Sequence, residues 1–231
     1  MILFDPLSST IDGIAGEGAV DPARLNVDWI RNRFISPPTW QPEVTDEHRL
    51  SSVAQFKNAS VLIALVQREH GLTLLFTRRT AHLSQHAGQI SFPGGRAESD
   101  DLDAVETALR ETQEEIGLPK SYVEILGKLP DYHTVTGYRV TLVVGSVADI
   151  PLLHSDPNEV DEIFEVPLSF LMDGSTHQRR SIVISTAGNS PANAQATQTI
   201  KRFFYAMPYQ DYFIWGATAG MLRNLFHFLR A

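Results

Sequence analysis

The sequence predicts an α/β protein, a mixed β-sheet sandwiched by helices. Short runs rich in aliphatic and β-branched residues recur from Ala59 to Tyr205, separated by turn signals. One sharply delimited helix interrupts them, and an amphipathic helix, Gly216–Leu229, closes the chain. The order lacks the regular βαβ repetition of a doubly wound dinucleotide fold.

The elements read in order as follows. Residues 1–20 are rich in Gly, Ser and Asp and read as loose. Asp21-Pro22 reads as a helix start, with proline near the first helical position, and the helix is expected to run to about Phe34. Pro37, Pro38 and Pro42 then mark an extended linker. Residues 1–48 are therefore expected to be an N-terminal extension, either a dimer arm or a cover for one face of the sheet, and residues 49–231 the main domain. Ala59–Gln67 and Leu72–Arg78 form an expected hairpin around Glu69-His70-Gly71. Gln89–Phe92 is a short strand stopped by Pro93-Gly94-Gly95. Asp103 can cap the next helix with Glu106 three residues on, and Gly117 with Pro119 ends it. Val123–Leu129, Arg139–Val147, Ser181–Ser185 and Lys201–Tyr205 read as strands, and Leu168–Met172 as a short helix.

Composition excludes several classes of function. The chain has 231 residues, enough for one sizeable core. A net charge of -8 argues against a broad nucleic-acid surface. The absence of cysteine rules out thiolate nucleophiles, disulfides and cysteine–zinc sites. The N-terminus has neither a basic segment nor a long apolar run, and no apolar stretch is long enough for a bilayer, so no membrane association and a cytoplasmic location are expected.

The chemistry concentrates between Phe92 and Leu118. On a helix, Glu111, Glu114 and Glu115 stand at i, i+3 and i+4, three carboxylates on one face. Like charges so placed cost helix stability, and a divalent cation reverses that cost. Hard oxygen donors suit Mg²⁺ or Mn²⁺, which also bridge to phosphate oxygens. Arg110 can fix one carboxylate by a charge-assisted bond, and Gly94 and Gly95 allow close backbone approach to metal or phosphate, with a Gly95 carbonyl as a further ligand. Upstream, Arg78 and Arg79 offer guanidiniums for phosphates, and His86, four residues after His82, suits a phosphate-facing or loop-ordering role better than zinc. Glu159 and Glu162, in an acidic segment farther on, are candidate general bases. Tyr138, Tyr205 and Trp215 could stack on a base or pack in the core.

The strand, Pro-Gly-Gly break, Arg-Glu, Glu-Glu and Ile-Gly-Leu ending together resemble the Nudix box. Counting from Gly95, the acidic position before the helix falls on Asp101, with one more residue than usual before Arg110, and Thr112 replaces the usual aliphatic. The extra residue belongs to the loop before the helix, and Glu98, Asp100 and Asp101 compete for the supporting role. Leu74, Leu75, Arg78, Leu83, His86, Gly88 and Phe92-Pro93-Gly94-Gly95 are similar to the signature of the coenzyme A pyrophosphatases within that superfamily, as are Thr136-Gly137-Tyr138 and Tyr212 to Ala219. The likeness runs in outline from Val61 to Leu229 and is dense only from Leu74 to Leu118.

The resemblance implies a Nudix α/β/α sandwich that hydrolyses the diphosphate of coenzyme A or its thioesters. The products would be 3′-phosphoadenosine 5′-phosphate and (acyl-)4′-phosphopantetheine. Under it, Glu111 and Glu115 hold the metal, Glu114 is a third ligand or the base, and Arg78, Arg79, His86 and Gly94 meet the substrate. A Nudix hydrolase for ADP-ribose, NADH or an oxidised nucleotide, and a silent nucleotide sensor, are the competing readings. A homodimer is compatible with all of them.

Overall fold

The computed structural model describes residues 5–43, 55–81, 88–187 and 197–231. Its larger sheet grows from β2 (Lys57–Arg68), which runs parallel to β7 (Tyr138–Val147) over ten register pairs. β6 (Glu124–His133) continues the sheet antiparallel to β7. On the other side, β2 pairs with β3 (Gly71–Arg79) only from Leu65↔Leu74 to Arg68↔Gly71. Beyond that point the two strands fork. β4 (Ile90–Ser91) follows β3 into the gap, and β5 (Gly94–Arg96) pairs with the first half of β2. β8 (Val160–Pro167) covers the outer edge of β3.

Alternation along β2 explains its continuous apolar run. Leu62, Ala64 and Val66 face one layer, and Ile63 and Leu65 face the other. The first layer is covered by α2 (Ala104–Ile116) through Ala108 and Ile116. The second is covered by α4 (Gly216–Arg230) and α1 (Val27–Ile35), through Leu222, Leu225, Phe226, Leu229 and Ile30. This is the expected α/β/α sandwich with a mixed sheet. Among the described residues, no helix is long and apolar enough to cross a membrane.

Two expectations for the N-terminal part are corrected. Asp21 accepts only from the Ala23 amide and starts a single 3-10 turn, Pro22–Arg24. The α-helix begins later, where Asn26 accepts from the Trp29 amide. Residues 10–14 are not loose. They form β1 (Thr10–Ile14), the edge of a second sheet ordered β1, β9 (Gln178–Ala187), β10 (Thr197–Tyr209) and β11 (Tyr212–Trp215). Every residue of β1 is exposed, so backbone pairing with β9, and not a buried apolar face, makes it a strand. β8 leads into α3 (Leu168–Leu171) before β9.

The N-terminal segment is tied to α4 by a buried cation. Arg223, 2% exposed, pairs with Glu17 at 2.6 Å and Glu43 at 2.7 Å. His177 is fully buried, with Nε2 facing the Leu171 carbonyl at 2.9 Å and Nδ1 facing Arg223 at 3.1 Å. An arginine can only donate, so Nδ1 accepts and Nε2 carries the proton. Burial, then the adjacent guanidinium, lowers the His177 pKa from 6.5 to about 4, against the pull of the Leu171 carbonyl, Glu17 and Asp173.

A histidine with a depressed folded pKa contributes stability above its unfolded value, and that contribution is lost as pH falls toward the folded one. Denaturant unfolding of the wild type and His177→Gln at a series of pH values checks this. The wild type's advantage is expected to shrink by about 3 kcal/mol between pH 6.5 and 4. Carboxylate titrations elsewhere cancel in the difference.

Candidate active site

α2 is placed by its two ends. The Asp103 carboxylate accepts from the Val105 and Glu106 amides, and Gly117 leaves the helix in the left-handed region at φ 70°. Glu106 does not complete a capping box through its side chain; that carboxylate is bound by Lys120. Thr112, where an aliphatic was expected, is fully buried and returns its hydroxyl to the Ala108 carbonyl at 2.6 Å. The hydroxyl therefore enters the core with its hydrogen bond made.

The three glutamates are not equivalent. Glu115 is 4% exposed and accepts from the Gly94 amide at 3.0 Å. Glu111 lies directly over Gly95, where any Cβ would collide with its carboxylate. Glu114 points outward, 60% exposed, and pairs with Arg110 at 2.9 Å. Burial pushes the Glu115 carboxyl up to about 7, with the Gly94 amide and Arg79 opposing. Burial also raises Glu111, against the pull of Arg110.

Arg110 organises the charge beside them. Its Nε donates to Asp101 at 2.8 Å, and a second nitrogen donates to the other Asp101 oxygen at 3.0 Å. It also reaches Glu111 at 3.1 Å and the Arg96 carbonyl at 3.2 Å. Asp101 further accepts from the Glu98 amide and the Thr107 hydroxyl. Its carboxyl lies well below the usual range, chiefly because of the Arg110 bonds. Of the three loop acids, Asp101 is thus the one that braces Arg110.

Strand alternation separates the two upstream arginines. Arg79 turns to the carboxylates, 3.6 Å from Glu115 and 4.0 Å from Glu159. Arg78 pairs with Asp161 at 3.1 Å and Glu162 at 2.8 Å, and Glu162 also accepts from the Tyr212 hydroxyl at 2.7 Å. Of the two base candidates, Glu159 therefore stands on the carboxylate side and Glu162 on the Arg78 side. His82 and His86 lie outside the described residues.

The sheet fork opens onto a cavity of about 500 Å³ between the two sheets. Gly94, Gly95 and Arg79 line one end; Tyr138, Thr136 and Trp215 also reach it. Tyr205 does not line it and lies under the Arg223 guanidinium, 4.7 Å from the ring centroid. Arg96 and Arg202 also line the cavity, and sequence reasoning missed both. Arg96 follows the glycine pair directly, a usable signal; Arg202 sits in an ordinary strand and has none.

Glu115, buried, and Glu111, half-buried, are the oxygen donors beside Gly94 and Gly95, with Arg79 facing the first and Arg110 the second. Among the described residues, no three acidic or imidazole side chains form a ready-made metal cage. The Glu111 and Glu115 carboxylates are oxygen donors of the kind that suits Mg²⁺ or Mn²⁺, ions commonly held by one or two carboxylates and completed by water and substrate phosphates.

A family model described as the NUDIX domain matches residues 56–184. The uncharacterized Nudix hydrolase NudL of Yersinia pestis (strain Pestoides F) is 40% identical over 196 residues, covering 84% of this chain and 90% of that protein. The same figures hold for NudL of Yersinia pseudotuberculosis serotype O:1b (strain IP 31758). Among solved structures, a Nudix hydrolase from M. smegmatis, RenU, aligns at 20% identity with a TM-score of 0.43, over 50% of this chain and 73% of its own.

The two glycines make opposite demands. Gly94 sits at φ 145°, and a Cβ there would strike the Ser60 carbonyl and the Val61 backbone. Gly94→Ala is expected to cost roughly 3 kcal/mol or more in denaturant unfolding. At Gly95 the nearest atoms a Cβ would meet belong to the Glu111 carboxylate, so Gly95→Ala is expected to cost about 1 kcal/mol or less while displacing Glu111 and abolishing turnover.

Proposed function

The chain belongs to the Nudix hydrolase family, whose members open diphosphates of small nucleotide derivatives, and we propose that its substrate is coenzyme A or one of its thioesters. The observation that carries this reading is the position of the cavity. It is lined at Gly94 and Gly95, the glycines that Glu115 and Glu111 meet from α2, and extends along a wall rich in apolar and aromatic side chains. A diphosphate at the glycines would leave the rest of a long, partly apolar molecule in that space. The Leu74–Gly95 segment, similar to the coenzyme A pyrophosphatase signature, supports the same substrate.

The reaction is attack of water on one phosphorus of the diphosphate, breaking the anhydride P–O bond and leaving two phosphate monoesters. Glu111 and Glu115 would hold a divalent cation. When bound, it neutralises phosphate oxygens and makes the attacking water easier to deprotonate. Gly94 lets β5 pack against β2 and Gly95 lets the Glu111 carboxylate close over the backbone, which brings both carboxylates beside the diphosphate. Arg79 neutralises charge at the same end and, beside Glu115 and Glu159, orients the phosphates. Arg110, braced by Asp101, fixes the rotamer of Glu111. Glu159 is the better placed of the two base candidates, because Arg78 and Tyr212 already engage Glu162.

Product analysis tests the reading. Coenzyme A with Mg²⁺ is expected to yield 3′-phosphoadenosine 5′-phosphate and 4′-phosphopantetheine, and Glu111→Gln and Glu115→Gln are each expected to lower turnover about 100-fold or more. Full activity in either variant overturns its assigned role. Preferred cleavage of ADP-ribose or NADH in a side-by-side panel overturns the substrate.

A further inference from the structure

We propose that Arg202 is a specificity-determining residue that binds a phosphate monoester on the nucleoside half of the substrate, separate from the scissile diphosphate. The inference rests on the coenzyme A reading and names the part of that molecule the cavity would distinguish.

β10 alternates its side chains between two environments. Arg202 and Phe204 point into the cavity. Lys201 and Phe203 lie on the other face, where Lys201 pairs with Asp12 at 2.6 Å and Arg179 covers the Phe203 ring at 4.2 Å. Ile182, the register partner of Arg202 on β9, also lines the cavity. Arg202 is therefore delivered into this space from the second sheet by the strand itself.

The guanidiniums of the cavity belong to different walls. Arg79 is committed to the carboxylate end by Glu115 and Glu159. Arg96 is in β5, next to the glycine pair, and its carbonyl is held by Arg110. Both stand where the scissile diphosphate is required to lie. Arg202 comes from the facing sheet, among Ile182, Phe204 and Trp215, and packed sheets stand about 10 Å apart. A diphosphate at Gly94 and Gly95 does not need a cation on that far wall; a second anionic group does.

The chemistry of the wall agrees. Phe204 and Trp215 meet edge to face, with centroids 5.5 Å apart, and offer aromatic surface to a base. A planar guanidinium beside that surface matches a phosphate through two parallel donors. Aromatic surface with an adjacent guanidinium is the chemistry that receives a nucleoside bearing its own phosphate monoester.

The test compares coenzyme A with 3′-dephospho-coenzyme A as substrates of the full-length wild type, Arg202→Gln and Arg202→Lys. The wild type is expected to prefer coenzyme A. In Arg202→Gln the ratio of the two kcat/KM values is expected to fall roughly 10- to 100-fold, mainly through KM, the loss typical of one charge-assisted bond. Arg202→Lys, which keeps the charge and loses the fork, is expected to fall between. An unchanged ratio in Arg202→Gln, or an equal loss on both substrates, overturns the proposal. Calorimetric binding of adenosine 3′,5′-bisphosphate and AMP gives a readout independent of turnover. The wild type is expected to bind the bisphosphate more tightly, and Arg202→Gln to lose that margin. Should neither coenzyme A be hydrolysed, the substrate reading fails, and the binding comparison still decides on Arg202. No preference for the bisphosphate in the wild type overturns it without any variant.

Discussion

Glu115 holds a carboxylate at 4% exposure between a helix and a break in the sheet, and much of the structure follows from keeping it there. Removing a charged carboxylate from water is costly unless other groups answer it. The Gly94 amide and Arg79 answer it only in part, and the carboxyl rises to about 7. The Gly94 amide is available because β2 and β3 fork, so that β5 can enter beside β2 with its glycines facing α2. The helix in turn is fixed in register by Asp103 at one end and Gly117 at the other. A slip of one residue would rotate the glutamates about 100° away from the glycines.

Arg110 handles the rest of the negative charge. One guanidinium meets Asp101, Glu111 and Glu114, and Asp101 alone takes two of its bonds. Asp101 is accordingly held ionised, and Glu111 is fixed in place without being fully neutralised. The site thus keeps two raised carboxylates on the inner face and places the fully paired acids around it. Burying incompletely paired charge is a stability cost, and such costs concentrate at functional sites.

Most of the larger sheet and α2 were legible because their signals are local; β8 was not, since its residues read as an acidic segment, and the glycines read as a break belong to β5. Alternating or continuous apolar runs, a capping aspartate, a left-handed glycine and the Pro-Gly-Gly break all act within a few residues of where they stand. The second sheet was half legible. β9 and β10 showed as strands, but β1 buries no side chain and owes its strand to a partner far along the chain. The site shows the same division. Spacing alone put the glutamates on one helical turn, yet it could not say that Glu114 turns outward while Glu115 is buried. Adjacent arginines looked interchangeable until the pleat of β3 sent Arg79 inward and Arg78 to Asp161 and Glu162. Asp101 was distinguishable from Glu98 and Asp100 only once the loop had a shape.

The clasp around Arg223 has a consequence for how the chain is made. Glu17 and Glu43 precede their shared partner by 206 and 180 residues, so both leave the ribosome long before it. The same helix supplies Thr218 and Met221 to the cavity wall, and Arg24 and Arg33 bind the carbonyls of its final turns. The segment carrying Glu17 and Glu43 therefore lacks its charged partner until α4 has been made. A nascent chain arrested within α4 would already carry the carboxylates of α2, but neither a closed N-terminal segment nor a complete wall for the cavity between the sheets.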